Sequence, residues 1–171
     1  NGAAMRVSPT ALLGKTLDET LASARRVTEI THDHPEGIKG AAATAHAIFL
    51  AYEGVELAEI RVVIQEAYGY DLERTVDGIR PDYKFDVTCQ GSVPEALICV
   101  FEATGFEDAI RNAISLGGDS DTLAAIAGGF AEARFGIPPE IAAEAWQRLP
   151  ADMRDILEKL YKTTHRPPPV R

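Results

Sequence analysis

The densest group of oxygen-bearing side chains in the sequence follows a pair of glycines. Asp119, Asp121 and Thr122 lie within four residues of one another, directly after Gly117 and Gly118. Glycine tolerates positive φ angles and lets a ligand approach the backbone, so the pair favours a tight loop. From Thr122 onward, apolar residues at helical spacing predict a helix. The three oxygen donors would then converge where that helix begins, and hard cations such as Mg²⁺, Mn²⁺ and Ca²⁺ bind oxygen sets of this kind.

A simpler interpretation competes with a metal site, because an Asp or Ser before a helix commonly serves only as an N-cap. A cap needs one such residue, whereas this turn contains three. The segment from Leu123 to Ala131 has no strongly polar residue, so we expect the helix to be buried. A buried pair of carboxylates without a counter-charge is unfavourable, and a bound cation would remove that penalty. Both interpretations stay open on the residues alone.

A second polar group contains two histidines on either side of an aspartate. His32, Asp33 and His34 could form a transition-metal site. Histidines at i and i+2 do not share a helical face, however, and Pro35 indicates a turn. Zinc normally needs three or four convergent ligands, so the residue pattern favours a role other than zinc binding.

Composition and charge restrict the class of protein. The chain has 171 residues, enough for one domain with a real core, and 46% of them are hydrophobic. The net charge of -9 argues against general nucleic-acid binding. No apolar run has the length of a transmembrane span, and no signal peptide is recognisable. Cys89 and Cys99 are expected to be small buried packing residues, so we expect a cytoplasmic protein without membrane contact.

Apolar residues at helical spacing predict a series of helices, and no segment has a convincing strand pattern. The predicted helices cover 16–30, 37–52, 57–67, 92–103, 106–114, 122 onward, 142–149 and 153–161. Ser92, Pro94 and Glu95 match a capping box at the start of one of them. Segments 1–9 and 68–86 are predicted to be loops. The expected fold is all-α, a compact orthogonal bundle of about eight helices over residues 1–162, with a flexible tail at 163–171.

Four stretches, in this order, resemble the ADP-ribosylglycohydrolase family, which includes the dinitrogenase-reductase-activating glycohydrolases. They are Asn1 to Pro9, Thr31 to Gly37, Gly91 to Leu97 and Leu116 to Thr122. The last of them looks like the C-terminal metal motif of that family. The family's N-terminal segment, with a Thr-Asp-Asp metal motif of its own, has no counterpart in this sequence.

The resemblance implies a reaction, the metal-dependent hydrolysis of the glycosidic bond between ADP-ribose and an arginine, a serine or a small-molecule acceptor. In the family, two Mg²⁺ or Mn²⁺ ions hold the ribose hydroxyls and position water at the anomeric carbon. The transition state is similar to an oxocarbenium ion, so placement of the sugar and the water lowers the barrier. Carried over, Asp119 and Asp121 are the catalytic residues and, with Thr122, the metal ligands.

The substrate-binding residues that the resemblance implies are mostly small, and three of the four stretches supply them. They are Asn1, Gly2, Ala3, Ala4, Met5, His32, Gly117, Gly118 and Ser120. Small side chains at residues 2–4 would let the backbone lie against the ADP-ribose. His34 has the weaker case for ligand contact and fits a surface residue.

The expected partner is an ADP-ribosylated protein or a small molecule that contains ADP-ribose, with a separate N-terminal segment as a further candidate. Half of a binuclear site should bind metal weakly, so we expect this chain alone to be inactive. Two other classes remain open. The chain could be a non-catalytic binder of ADP-ribose or another nucleotide, or a structural protein on the same scaffold.

Overall fold

A computed structural model describes residues 1–164, and these residues form helices joined by turns and loops, without a strand. The helices are α1 Gly2–Met5, α2 Ser8–Leu13, α3 Leu17–Glu29, α4 Pro35–Tyr52, α5 Leu57–Tyr68, α6 Val76–Ile79, α7 Cys89–Phe101, α8 Phe106–Ser115, α9 Ser120–Phe135, α10 Pro139–Arg148 and α11 Ala151–Thr164. The prediction of an all-α fold is confirmed.

Local signals set the ends of several long helices close to their predicted positions. Thr16 caps α3 by accepting a hydrogen bond from the backbone N–H of Glu19. Gly69 ends α5 in the left-handed conformation, with φ of 68°. The short helices α1 and α6 lie in segments predicted to be loops, and α2 begins in one of them, because four to six residues are too few to show an apolar repeat.

The C-terminal boundary also differs from the prediction. Helix α11 continues to Thr164, so the first two residues of the predicted flexible tail are helical. The rest of that predicted tail, residues 165–171, lies outside the described residues.

The predicted start of α7 is wrong by one turn. Thr88, and not Ser92, caps this helix, and its hydroxyl accepts a hydrogen bond from the Gly91 N–H. Ser92 is buried inside the helix, where its hydroxyl donates to the Asp86 carbonyl at 3.3 Å. Glu95 does not reach back to a cap, because its carboxylate accepts a hydrogen bond from Arg74 at 2.8 Å. Both polar side chains of the predicted capping box, Ser92 and Glu95, therefore bind residues outside the helix and not its free N–H groups.

Helices α4, α7 and α9 pack together in the core, and small residues let them approach closely. A Cβ placed on Gly40 of α4 would lie 2.7 Å from the Cβ of Cys89 on α7. A Cβ on Gly129 of α9 would lie 2.2 Å from the hydroxyl oxygen of Ser8 on α2. The expected burial of α9 is confirmed, since Leu123 and Phe130 are fully buried. Within residues 1–164, no helix combines the length and apolar character that a membrane crossing needs.

Candidate functional site

The turn before α9 requires its two glycines. Gly117 and Gly118 have φ angles of 74° and 61°, in the left-handed region that side chains disfavour. Space is limiting as well, because a Cβ on Gly118 would lie 2.9 Å from Cε1 of Tyr83 and 3.1 Å from the carbonyl oxygen of Lys84. The turn therefore lies tightly against the segment before α7, and it delivers Asp119 to the start of α9.

Asp119 occupies the N-cap position of α9 without capping it. Among the described residues, its carboxylate accepts no hydrogen bond from a backbone N–H of that helix. Instead, its Oδ2 accepts a hydrogen bond from Nδ2 of Asn1 at 2.7 Å. The same amide nitrogen lies 3.1 Å from the Ser92 hydroxyl and 3.3 Å from the Asp86 carbonyl oxygen. The simple capping interpretation is wrong for this carboxylate, which belongs to a tertiary network.

The pKa of Asp119 is held below its usual value. The largest cause is the hydrogen bond from Asn1; partial desolvation opposes it, and the neighbouring side chains of Thr122 and Asp121 act in the same direction as Asn1. Asp121 is exposed, whereas Thr122 is buried and its hydroxyl donates to the Met5 sulfur at 3.4 Å. The three oxygen-bearing residues of the predicted metal set therefore lie together at the start of α9, with Asp119 ionised.

This donor set fits part of a site for a hard divalent cation. Two carboxylates and a hydroxyl are the oxygen ligands that Mg²⁺ and Mn²⁺ prefer. Residues 1–164 contain no group of three or more His, Cys, Asp or Glu side chains arranged to hold a metal. Asp119, Asp121 and Thr122 would thus supply some of the ligands, and water or other oxygen donors would have to complete the coordination.

His32 lies against the short helix α1. A Cβ on Gly2 would be 3.1 Å from Nε2 of His32, so only glycine leaves the ring its present place. Arg6 ties the two segments together, since its Nε donates to the Gly2 carbonyl at 2.9 Å and its Nη1 donates to the Thr31 hydroxyl at 2.8 Å. That hydroxyl is 2.8 Å from Nδ1 of His32. Desolvation, followed by the positive charge of Arg6, lowers the pKa of His32 and keeps the ring neutral.

His34 has a local structural role. It is the N-cap of α4, and its Nδ1 accepts a hydrogen bond from the Glu36 N–H at 3.2 Å. One ring nitrogen is therefore engaged in the cap. This arrangement agrees with the sequence argument against a transition-metal site at the two histidines.

An open cleft of about 370 Å³ lies beside Asn1 and His32. Its other walls are the segment before α4 and the beginnings of α4 and α7, and the lining residues are Thr31, Asp33, His34, Glu36, Gly37, Thr88, Cys89 and Gln90. Two helix N-termini thus open into one cleft. Helix N-termini carry partial positive charge and unpaired N–H groups, which favour anionic ligands.

The remaining predicted substrate-binding residues differ in how far they are exposed. The predicted loop at residues 1–5 is the helix α1, and the side chains of Ala3 and Ala4 are fully buried in the core. Met5 is partly exposed and contacts Thr122. Ser120 is half-buried and begins α9. Ala3 and Ala4 are therefore small because the core is tightly packed around them, whereas Gly2 makes room for the His32 ring.

The comparison with known proteins decides the family, because the ADP-ribosylglycohydrolase profile matches residues 1–169. The chain belongs to the ADP-ribosylglycohydrolase family. It is 32% identical to an uncharacterised protein of Archaeoglobus fulgidus, covering 93% of this chain and 55% of that protein. It is 29% identical to the ADP-ribosylarginine hydrolase Tri1 of Pseudomonas putida, covering 86% of this chain and 43% of that hydrolase.

A solved structure supports the same assignment. The chain is similar to one in a structure described as an ADP-ribosylglycohydrolase-related protein complex, with a TM-score of 0.74 and 26% identity. The match covers 96% of this chain and 59% of that one. The family as a whole indicates glycosyl hydrolysis. The chain spans about half the length of the curated relatives it matches.

Sequence reasoning missed the residues that support Asn1 and Asp119. Ser92 lies in a stretch that carries the family resemblance, but its pattern suggested a helix cap. Asp86 and Tyr83 belong to a segment predicted only as an aromatic loop. The glycine pair was the available signal, because glycine allows close approach of another group to the backbone, and here Gly118 lies against Tyr83.

Proposed function

We propose that this chain forms part of a metal-dependent hydrolase that cleaves the glycosidic bond between ADP-ribose and an acceptor. The observation that supports this most directly is the engagement of Asp119. This carboxylate is bound to Asn1, 118 positions away in sequence, and not to the helix it precedes. A carboxylate held ionised beside Asp121 and Thr122 is suited to binding a cation.

Asp119, Asp121 and Thr122 would hold one side of a site for two Mg²⁺ or Mn²⁺ ions. Such ions would supply positive charge at the ribose hydroxyls and orient water toward the anomeric carbon. Thr122 donates its own proton to the Met5 sulfur, which leaves its oxygen lone pairs free for a ligand. Asn1 orients the Asp119 carboxylate through one oxygen, and the other oxygen can accept further partners.

The nucleotide sugar would occupy the cleft beside Asn1 and His32. The chain is strongly acidic, so an anionic diphosphate needs local compensation. The N-termini of α4 and α7 supply partial positive charge, and neutral His32 can donate a hydrogen bond from one ring nitrogen. The amide of Gly118 could serve the same purpose, because no side chain obstructs it, whereas the Gly117 N–H already donates to the Ile114 carbonyl.

Arginine is the first acceptor to test, because a curated relative is named as an ADP-ribosylarginine hydrolase. Serine and small-molecule acceptors stay within the proposal. We further propose a cytoplasmic protein, in keeping with two free, buried cysteines.

The direct experiment measures release of ADP-ribose from ADP-ribosyl-arginine and ADP-ribosyl-serine peptides in the presence of Mn²⁺ or Mg²⁺. The chain is assayed alone and together with a separately produced N-terminal segment of a family member. Asp119→Asn is the variant expected to be inactive. Asp155→Asn, the same chemical change on the exposed surface of α11, is its control.

We expect turnover only with the added segment, because Asp119 and Asp121 offer too few carboxylates for two cations. Turnover that survives Asp119→Asn would contradict the assigned role of this carboxylate. Turnover by the chain alone would refute the expectation that its half-site is insufficient. Absence of turnover in every mixture, with intact ADP-ribose binding, would favour a non-catalytic binder. Absence of both would favour a structural protein.

A further inference from the structure

Tyr83 lies where three separate parts of the candidate site meet. It belongs to the loop between α6 and α7, and its side chain is half-buried. Its ring is the surface against which the glycine turn packs, since a Cβ on Gly118 would come within 2.9 Å of Cε1. The position of this ring therefore limits where the turn, and with it Asp119, can lie.

The hydroxyl of Tyr83 provides a second connection. It donates to the carbonyl oxygen of Gly91 at 3.1 Å, in the first turn of α7. Burial and the nearby Glu95 carboxylate raise the pKa of Tyr83 to about 12, while the adjacent Ser92 hydroxyl acts in the opposite direction. The phenol is therefore neutral and able to donate at any physiological pH.

The two connections converge on one carboxylate. The turn of α7 that Tyr83 holds also carries Ser92, whose hydroxyl lies 3.1 Å from Nδ2 of Asn1. Asn1 in turn donates to Asp119. The ring acts on Asp119 from one side through Gly118, and the hydroxyl acts from the other side through α7 and Asn1.

We propose that Tyr83 is a positioning residue that fixes the Asp119 carboxylate for cation binding. This inference rests on the proposed function, because it requires that Asp119 binds a cation. Groups that orient metal ligands without touching the metal commonly change its affinity by about 10–100-fold. Tyr83 acts through Gly118 and Asn1, one step further from the cation, so the expected effect is at or below the lower end of that range.

Another tyrosine in the same chain offers a matched control. The hydroxyl of Tyr68 lies 3.2 Å from Nδ1 of His46, away from the glycine turn. Burial raises the pKa of Tyr68 to about 12, as it does for Tyr83. Tyr68→Phe thus removes a comparable phenol hydrogen bond without touching the candidate site.

The test measures Mn²⁺ affinity of the chain by electron paramagnetic resonance, together with thermal unfolding of each variant. We expect Tyr83→Phe to weaken Mn²⁺ binding about threefold to tenfold, and Tyr83→Leu, which also removes the ring, to weaken it about tenfold or more. Tyr68→Phe should lower the unfolding temperature to a similar extent as Tyr83→Phe but leave Mn²⁺ affinity unchanged.

A second perturbation approaches the same contact from the glycine. Gly118→Ala should weaken Mn²⁺ binding strongly in the parent chain and less so in the Tyr83→Leu background, because the two changes act on one contact. Parent-like Mn²⁺ affinity in both Tyr83 variants would overturn the inference while leaving the proposed function intact. Mn²⁺ affinity that is the same in the parent chain and in Asp119→Asn, both without and with the added N-terminal segment, would overturn both.

Discussion

The buried ion pair between Arg74 and Glu95 should make the stability of this protein depend on pH in a defined way. Glu95 lies inside the bundle on α7, where its side chain is only 8% exposed, and Arg74 reaches it from the loop before α6 at 2.8 Å. The second carboxylate oxygen of Glu95 has no hydrogen-bond partner among the described residues. Arg74→Met keeps the apolar stem of the side chain and removes the charge, which leaves a buried carboxylate uncompensated.

Removing one partner of a fully buried ion pair destabilises a protein by about 3–5 kcal/mol. Arg74 is 39% exposed, so water screens the pair and we take about 2 kcal/mol at neutral pH. For a chain of this size, each kcal/mol lowers the unfolding temperature by about 2–4 °C. The expected loss for Arg74→Met is therefore about 4–8 °C at pH 7.5.

The sign of the pH dependence follows from Glu95. Burial raises its pKa above the ordinary value of 4.5, and Arg74 opposes that rise. The folded protein thus holds this proton more tightly than the unfolded chain does. The contribution of Glu95 to stability is complete below the unfolded pKa and declines as the pH rises through the folded pKa. Without Arg74 the folded pKa rises further, so the variant should lose much less stability at pH 4 than at pH 7.5.

Differential scanning calorimetry of the parent and Arg74→Met at both pH values measures this effect. Arg111→Met is the control, because Arg111 and Glu107 form an exposed pair one helical turn apart on α8, with side chains 75% and 55% exposed. Such pairs contribute about 0.5 kcal/mol or less. A loss in Arg74→Met that matches this control, or one that is equal at pH 4 and pH 7.5, would refute the assignment of a buried charge at Glu95.

Three other outcomes follow from the contacts described above. Thr88→Ala should destabilise the protein by about 1 kcal/mol, because Thr88 and not Ser92 caps α7, and calorimetry should show an unfolding temperature lowered by about 2–4 °C. A larger loss in Ser92→Ala combined with none in Thr88→Ala would contradict the assigned cap. Tyr161→Phe should cost about 2 kcal/mol at pH 8 and less at pH 5 in thermal unfolding, because Tyr161 donates to the half-buried Glu132 carboxylate, whose pKa is raised by desolvation. A loss independent of pH would argue against an ionised Glu132. Calorimetric titration should show nearly constant ADP-ribose affinity between pH 7 and pH 8.5, because the pKa of His32 is lowered and its ring is already neutral. A steep decline of the affinity as the pH rises would indicate that the imidazolium binds the diphosphate.

The sequence predicts helices well where the signal is local and repeated. Helix α5 shows this, because its apolar repeat and the following Gly69 fix both ends within about a residue of the structure. The four-residue helices α1 and α6 are too short to carry a repeat. The capping box at Ser92 fails for a different reason. Its residues satisfy the local rule, but Asn1 binds Ser92 and Arg74 binds Glu95, and both partners are distant in sequence.

In the candidate site, too, local features could be predicted from the sequence and long-range contacts could not. The glycine pair and the oxygen donors of the turn are visible in seven consecutive residues, so a tight loop with clustered oxygens could be predicted. The bond from Asn1 to Asp119 joins residues 118 positions apart in sequence, and no local pattern indicates it. Family resemblance placed both residues in one site, although the residues alone could not distinguish a helix cap from a cation ligand.

The tight crossing of α4 and α7 has a practical consequence for spectroscopy. The Cys89 thiol is enclosed where Gly40 approaches it, and Cys99 is fully buried with its pKa raised to about 12 by desolvation. Maleimide and methanethiosulfonate reagents must reach the sulfur atom, and both native cysteines are buried. Fluorophores or spin labels can therefore be attached to a cysteine introduced on the surface while both native cysteines are retained.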